Sequence, residues 1–204
     1  MSEMKALILC CTLKKSPAES SSQLMSERIS AALSTHGVEA EVIRVADHDV
    51  KFGITTDEGD GDGWPAIRQK MLDSQILVLT TPIWMGQPAS MCKVVLERLD
   101  AELGEEGDDG LPLTYGKVAV AGIVGNEDGA HHSVAEIFQA VNDCGFTIPA
   151  AGCTYWVGEA MQREDYKDLD ERPDATESAM QTMVANAVQL AQGLQAHSYT
   201  KPDA

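Results

Sequence analysis

Basic residues are scarce in this chain: 15 Lys and Arg stand against 32 Asp and Glu, for a formal net charge of −17. That balance argues against a nucleic-acid or anionic-membrane surface, because phosphate backbones are held by clustered Lys and Arg. No apolar run approaches the roughly 20 residues that a membrane-spanning helix needs. The N-terminus passes straight into ALILCC (6–11) without the layout of a signal peptide, so a soluble, cytoplasmic protein is expected. The five cysteines form no CxxC pair and no Cys/His ligand spacing, which disfavours a structural zinc site. An odd number of thiols with no secretion signal reads as reduced side chains used as small buried hydrophobes.

Recognisable catalytic and nucleotide motifs are missing too. GxGxxG and GxxxxGK[ST] do not occur, so neither a dinucleotide fingerprint nor a phosphate-binding P-loop is present. There is no triad and no paired-carboxylate motif, hence no candidate catalytic side chain. The two Gly-diluted acidic stretches, DEGDGD (57–62) and EEGDD (105–109), lack the order of a calcium loop and read as solvated loops, so no metal is expected.

What remains is an alternation of strand and helix patterns over 204 residues, enough for one α/β domain with a parallel sheet covered on both faces. Strands are expected at Lys5–Cys11, Glu39–Val45, Gln75–Thr81, Lys117–Gly125 and Phe146–Cys153. Helices are expected at Ser21–Ser34, Trp64–Asp73, 89–103, Ser133–Cys144 and Ala175–Leu194, with a frayed tail over 197–204. Periodicity alone leaves the order of the strands open.

In open α/β sheets, ligands sit beyond the carboxyl ends of the strands, so the loops after the first, third and fourth strands carry the functional information. The first holds Thr12, Lys14 and Lys15, then Ser20, Ser21 and Ser22 at a helix start. Hydroxyls, free N–H groups and a nearby cation there make a phosphate site, although an ordinary Ser cap on a solvated loop has the same sequence. The second is the turn Pro82-Ile83-Trp84-Met85-Gly86, where a large indole either caps the core or faces a ligand. The third is GNEDGAHH, Gly125 to His132, in which Gly125 and Gly129 bracket Asn126, Glu127 and Asp128 and suit a tight backbone approach. His131 and His132 follow without a ligand spacing that would predict a metal.

From Ala6 to about Leu194 the sequence resembles the flavodoxin-like NADPH-dependent FMN reductase family, a group of NAD(P)H:flavin or quinone oxidoreductases. The family's phosphate loop, commonly Gly-Ser-x-Arg with a small polar cluster before the helix, falls on Cys11-Thr12-Leu13-Lys14 and Ser20-Ser21-Ser22. Its Thr-Pro-Ile-Trp-x-Gly motif falls on Thr81 to Gly86, with Pro88 and Lys93 behind it, and GNEDGAHH with TYWVG (154–158) completes the pattern. Cys11 stands where the family has Gly and Lys14 where it has Arg, so a point charge replaces a planar fork.

The resemblance implies a flavodoxin-like doubly wound five-stranded parallel sheet, order 2-1-3-4-5, forming one domain over residues 1–196. It implies FMN as cofactor, with its phosphate at Thr12, Lys14 and Ser20 to Ser22. Its ring would lie along Pro82, Ile83, Trp84, Met85 and Gly86, and the loop of Gly125, Asn126, Glu127, Asp128, Gly129 and His131 would stand beside it. NAD(P)H as electron donor, a quinone, flavin or other small acceptor, and a homo-oligomer complete the expectation. Two alternatives remain at this level: an acidic electron carrier that oxidises no NAD(P)H itself, steered by charge to basic partners, and a flavodoxin-like scaffold that has lost its flavin.

Overall fold

The computed structural model describes residues 4–159 and 162–201. The chain runs β1 (Lys5–Cys10), α1 (Ser21–Thr35), β2 (Glu39–Arg44), α2 (Trp64–Leu72), β3 (Ile76–Trp84), β4 (Gln87–Pro88), α3 (Ser90–Leu99), β5 (Val118–Gly125), α4 (Ala130–Asp143), β6 (Cys153–Val157) and α5 (Asp174–Ala196). The parallel strands lie in the order β2-β1-β3-β5-β6, and β4 pairs antiparallel with the end of β3. With that two-residue strand set aside, this is the expected 2-1-3-4-5 order. Of the expected tail, 202–204 lie outside the described residues.

Strand periodicity builds two cores from one sheet. Leu7, Leu9, Leu77 and Leu79 point to the face covered by α2, α3 and α4, where Trp64, Ile67, Val95, Leu99 and Ile137 are buried. Ala6, Ile8, Val78 and Val120 point the other way, onto Met25 and Ile29 of α1 and Met180, Val184 and Val188 of α5. Burial on both faces is why β1, β3 and β5 read as unbroken apolar runs, whereas the edge strand β2 alternates.

Several boundaries differ from the sequence reading. The last strand is Cys153–Val157, not Phe146–Cys153. Thr147 does bridge Val118, but Pro149 has no N–H to donate and Ala151 turns to φ 52°, so the chain leaves the sheet before rejoining it. The third strand continues past Thr81 to Trp84, and residues 89–103 divide into α3 and a short 3₁₀ segment, Asp100–Gly104. Helix α4 starts at Ala130, three residues early, which puts His131 and His132 on its first turn.

The stretch 57–62 is not a wholly solvated loop. The Asp62 side chain is buried and accepts N–H bonds from Lys51, Glu58 and Trp64 at 3.2, 2.9 and 3.1 Å, while Arg98 of α3 reaches it at 2.8 Å. This staple fixes the long connection between β2 and α2 to α3.

Candidate functional site

Parallel strands end on one edge, so the segments after β1, β3, β5 and β6 converge there without further design. They line a cleft of about 200 Å³. Thr12 and Lys14, the three serines Ser20, Ser21 and Ser22, the strand end Pro82, Ile83 and Trp84, and the pair Gly125 and Asn126 all face it. Ten of the residues singled out in the sequence are thus brought together.

The floor at one end is the start of α1. Ser20 is its N-cap, and its hydroxyl accepts the Gln23 N–H at 3.4 Å. The N–H groups of Ser21 and Ser22, in the first turn, have no intrahelical carbonyl to bond. Ser22 is buried, and its hydroxyl has no hydrogen-bond partner among the described residues. A buried hydroxyl left unpaired costs about 1–3 kcal/mol, and here it lies beside the positive end of a helix in a cleft. Thr12 is also buried, its hydroxyl accepting the Lys14 N–H at 3.4 Å, and the Lys14 ammonium donates to the Glu19 carbonyl at 3.3 Å. Donors, an unsatisfied hydroxyl and a cation make a seat for an anion.

The other end is apolar and open. Trp84 and Met85 are 55% and 89% exposed at the tip of the β3–β4 hairpin. Met85 and Gly86 have φ 56° and 76°, the two positive values that a two-residue hairpin of type I′ requires. Asn or Gly suits the first position best, so an exposed Met there puts local backbone preference second to an apolar side chain at the rim.

Met85, Gly86, Glu127, Asp128, Gly129 and His131 do not line the cleft. Glu127 and Gly129 instead hold the hairpin from behind: the Met85 N–H donates to Glu127 Oε1 at 2.8 Å, and a Cβ on Gly129 would stand 2.5 Å from the Gly86 carbonyl oxygen. Asp128 is exposed, and His131 meets the Tyr155 ring edge-on, with centroids 5.2 Å apart. The tight approach anticipated for GNEDGAHH is therefore backbone against backbone, between two loops.

Sequence reasoning missed one wall altogether. Asp165, Tyr166 and Lys167 line the cleft from the segment between β6 and α5, and Trp156 adds its ring from β6. Trp156 was within reach as part of TYWVG, and the one signal for the rest was an aromatic, Tyr166, inside an otherwise charged run. Burial raises the Tyr166 pKa, while the Arg28 guanidinium acts in the opposite direction. The cysteines are free, and burial pushes the Cys10 thiol up, so it stays protonated. Among the described residues no group of three or more His, Cys, Asp or Glu is placed to hold a metal, and no helix is long and apolar enough to cross a membrane.

A cleft at the carboxyl edge of a parallel sheet in the order 2-1-3-4-5 places the chain among flavodoxin-like folds. The chain matches the NADPH-dependent FMN reductase family over residues 4–162 and belongs to it. Membership makes the chain a flavin-dependent oxidoreductase, with FMN as the cofactor of its class.

Two curated relatives align along almost the whole chain. One, the 8-demethyl-8-aminoriboflavin-5'-phosphate synthase of Streptomyces davaonensis, is 34% identical over 207 residues, covering 97% of this chain and 80% of that protein. The other, from Mycobacterium bovis and named divalent metal cation transporter MntH, is 35% identical over 208 residues. The alignment takes in 98% of this chain but 30% of that protein, so the chain spans under a third of its length.

Among solved structures, RosB with the bound intermediate 8-demethyl-8-formylriboflavin-5'-phosphate superposes with a TM-score of 0.89 at 34% identity, covering 97% of this chain and 82% of that one. An NADH:FMN oxidoreductase, EmoB, superposes at 0.63 with 15% identity, covering 98% and 92%. At that identity the likeness shows the fold alone.

Proposed function

We propose that this chain holds FMN in the cleft and passes electrons from NAD(P)H to a small acceptor such as a quinone or a free flavin. The observation that carries this reading is the unpaired, buried Ser22 hydroxyl beside the first turn of α1, in one cleft with the apolar end of the β3–β4 hairpin. Thr12, Ser20, Ser21 and Ser22 with Lys14 would hold the phosphate. Pro82, Ile83 and Trp84 would lie along the ring, and Gly125 and Asn126 would close the side between them. FMN, when bound, supplies hydride acceptance from a nicotinamide and onward electron donation. The chain's own part is to bind, orient and expose one apolar face, which needs no acid or base side chain. A net charge of −17 does not oppose an anionic ligand at distance, since charge is screened beyond about 8–10 Å and the groups lining the seat decide.

Replacing Thr12 and Ser22 together with alanine is expected to weaken FMN binding by on the order of 1–3 kcal/mol, as hydrogen bonds to a charged group are lost. Titration of the apoprotein followed by flavin fluorescence measures this, and unchanged affinity would move the phosphate elsewhere. For turnover, one open face serving donor and acceptor in turn predicts parallel lines in double-reciprocal plots of NAD(P)H oxidation as a quinone is varied. Intersecting lines would exclude the shared face. A flavin-loaded protein that NAD(P)H leaves oxidised would favour the electron carrier.

A second reading has its own support. The 0.89 superposition and 34% identity with RosB set this chain far nearer to a protein solved with a modified flavin phosphate than to EmoB at 0.63 and 15%. On that reading the flavin is substrate, altered at its position 8. Mass spectrometry of flavin recovered after incubation separates the two: an unchanged FMN mass after many turnovers supports the cofactor role, and a converted flavin supports the substrate role.

A further inference from the structure

The wall that no motif anticipated, residues 162–169, is fastened at three places to the elements that build the cleft. The Asn126 amide of the loop after β5 donates to Asp165 Oδ1 at 3.1 Å. Tyr166 is 1% exposed, with its ring 5.7 Å from that of Trp156 and its hydroxyl accepting from Arg28 Nη1 of α1 at 2.5 Å. The Arg28 guanidinium also lies 4.6 Å from the Tyr166 ring centroid and 3.6 Å from Glu177 of α5, so the strap is clamped between two helices. The third fastening joins the strap to the anion seat itself: the Lys167 N–H donates to Ser21 Oγ, on the first residue of α1, at 3.3 Å.

Lys167 thus lines the same cleft as Lys14 and the unpaired Ser22 hydroxyl. Its side chain is 21% exposed, and its ammonium rests on Asp168 Oδ1 at 2.5 Å. Two cations suit a phosphate monoester, which carries a charge of about −1.5 to −2 near neutrality, better than the singly charged phosphodiester groups of a dinucleotide. The Lys167–Ser21 bond ties the strap to the helix start, at the same end of the cleft as the candidate phosphate seat.

We propose that this strap decides which flavin the site accepts. Lys167 and Lys14 flank a seat for a terminal phosphate monoester, and the tie to Ser21 closes the cleft behind it. Riboflavin leaves the seat empty, and a flavin carrying a further nucleotide is refused. The inference rests on the flavin reading of the cleft and adds to it a specificity-determining residue outside the motifs that identify the family.

The test is fluorescence titration of the apoprotein with FMN, riboflavin and FAD, using the wild type, Lys167→Met and Tyr166→Gly. The wild type is expected to bind FMN on the order of 100-fold more tightly than the other two, as two charge-assisted contacts are worth. Lys167→Met should weaken FMN about tenfold and leave riboflavin unchanged, because the phosphate is the part of the flavin that the lost ammonium would meet. Tyr166→Gly should open the wall and bring FAD to within about tenfold of FMN. If circular dichroism shows that Tyr166→Gly does not fold, Tyr166→Leu, which keeps an apolar core side chain and Lys167 but gives up the bond to Arg28, is used with the same expectation. Equal weakening of FMN and riboflavin by Lys167→Met would make the residue merely structural and overturn the inference. So would a wild type that takes all three flavins alike, which leaves the flavin reading standing. A wild type that binds no flavin would remove both.

Discussion

Asp62→Ala is expected to destabilise the fold by about 3–5 kcal/mol, because it strands a buried guanidinium and leaves three backbone N–H groups without their acceptor. The Asp62 and Arg98 side chains are 0% exposed and 2.8 Å apart. Arg98 keeps two further acceptors, the carbonyls of Lys51 and Thr55 at 3.0 and 2.8 Å, but both are neutral and cannot offset its charge. Urea denaturation measures the loss, and a variant within about 1 kcal/mol of wild type would show the pair to be dispensable.

The same pair gives the fold an acid limit. Burial alone would raise the Asp62 pKa, but the N–H groups of Glu58, Trp64 and Lys51 and the Arg98 guanidinium outweigh it and lower the value from 3.8 to about 2. The charged carboxylate is thus favoured by folding. Its contribution is complete above the ordinary carboxylate range and is lost as pH falls from about 3.8 through about 2. Stability curves of wild type and Asp62→Ala should therefore converge as the pH falls through that interval, and a constant gap between them would refute the assignment.

Asp62 also shows where sequence reading stops. In DEGDGD nothing distinguishes it from Asp57 or Asp60, since its partner Arg98 lies on a helix beyond the next strand. The apolar runs of β1, β3 and β5 were legible because burial on both faces is written residue by residue into each strand. The last strand was not: Phe146 to Ile148 is as apolar as Cys153 to Val157, and only Pro149 and the φ of Ala151 decide between them. The cleft divides in the same way. Thr12, Ser20 to Ser22 and Pro82 to Trp84 sit next to strand ends and were found from that position. Asp165, Tyr166 and Lys167 were not, because Tyr166 is made a wall by Arg28, 138 residues earlier in the chain.

The GNEDGAHH loop stands between these cases: its importance was legible and its target was not. Gly129→Val is expected to cost both stability and flavin affinity, about 1–3 kcal/mol of the first and at least about tenfold of the second. At φ 115° Gly129 occupies a conformation that a β-branched residue avoids, and its Cβ would lie 2.5 Å from the oxygen and 2.7 Å from two carbons of Gly86. Those are backbone atoms, so no rotamer relieves the overlap. The hairpin must move, taking Met85 from its 2.8 Å bond to Glu127 and carrying Trp84 and Ile83 out of the cleft wall. The smaller change Gly129→Ala separates this account from one in which the space is kept for the ligand, because its single methyl group meets the same backbone. If the hairpin fills that space, melting temperature and FMN affinity fall together in the alanine variant. If the ligand fills it, affinity falls while the melting temperature holds, and the loop-on-loop brace is not what positions the hairpin.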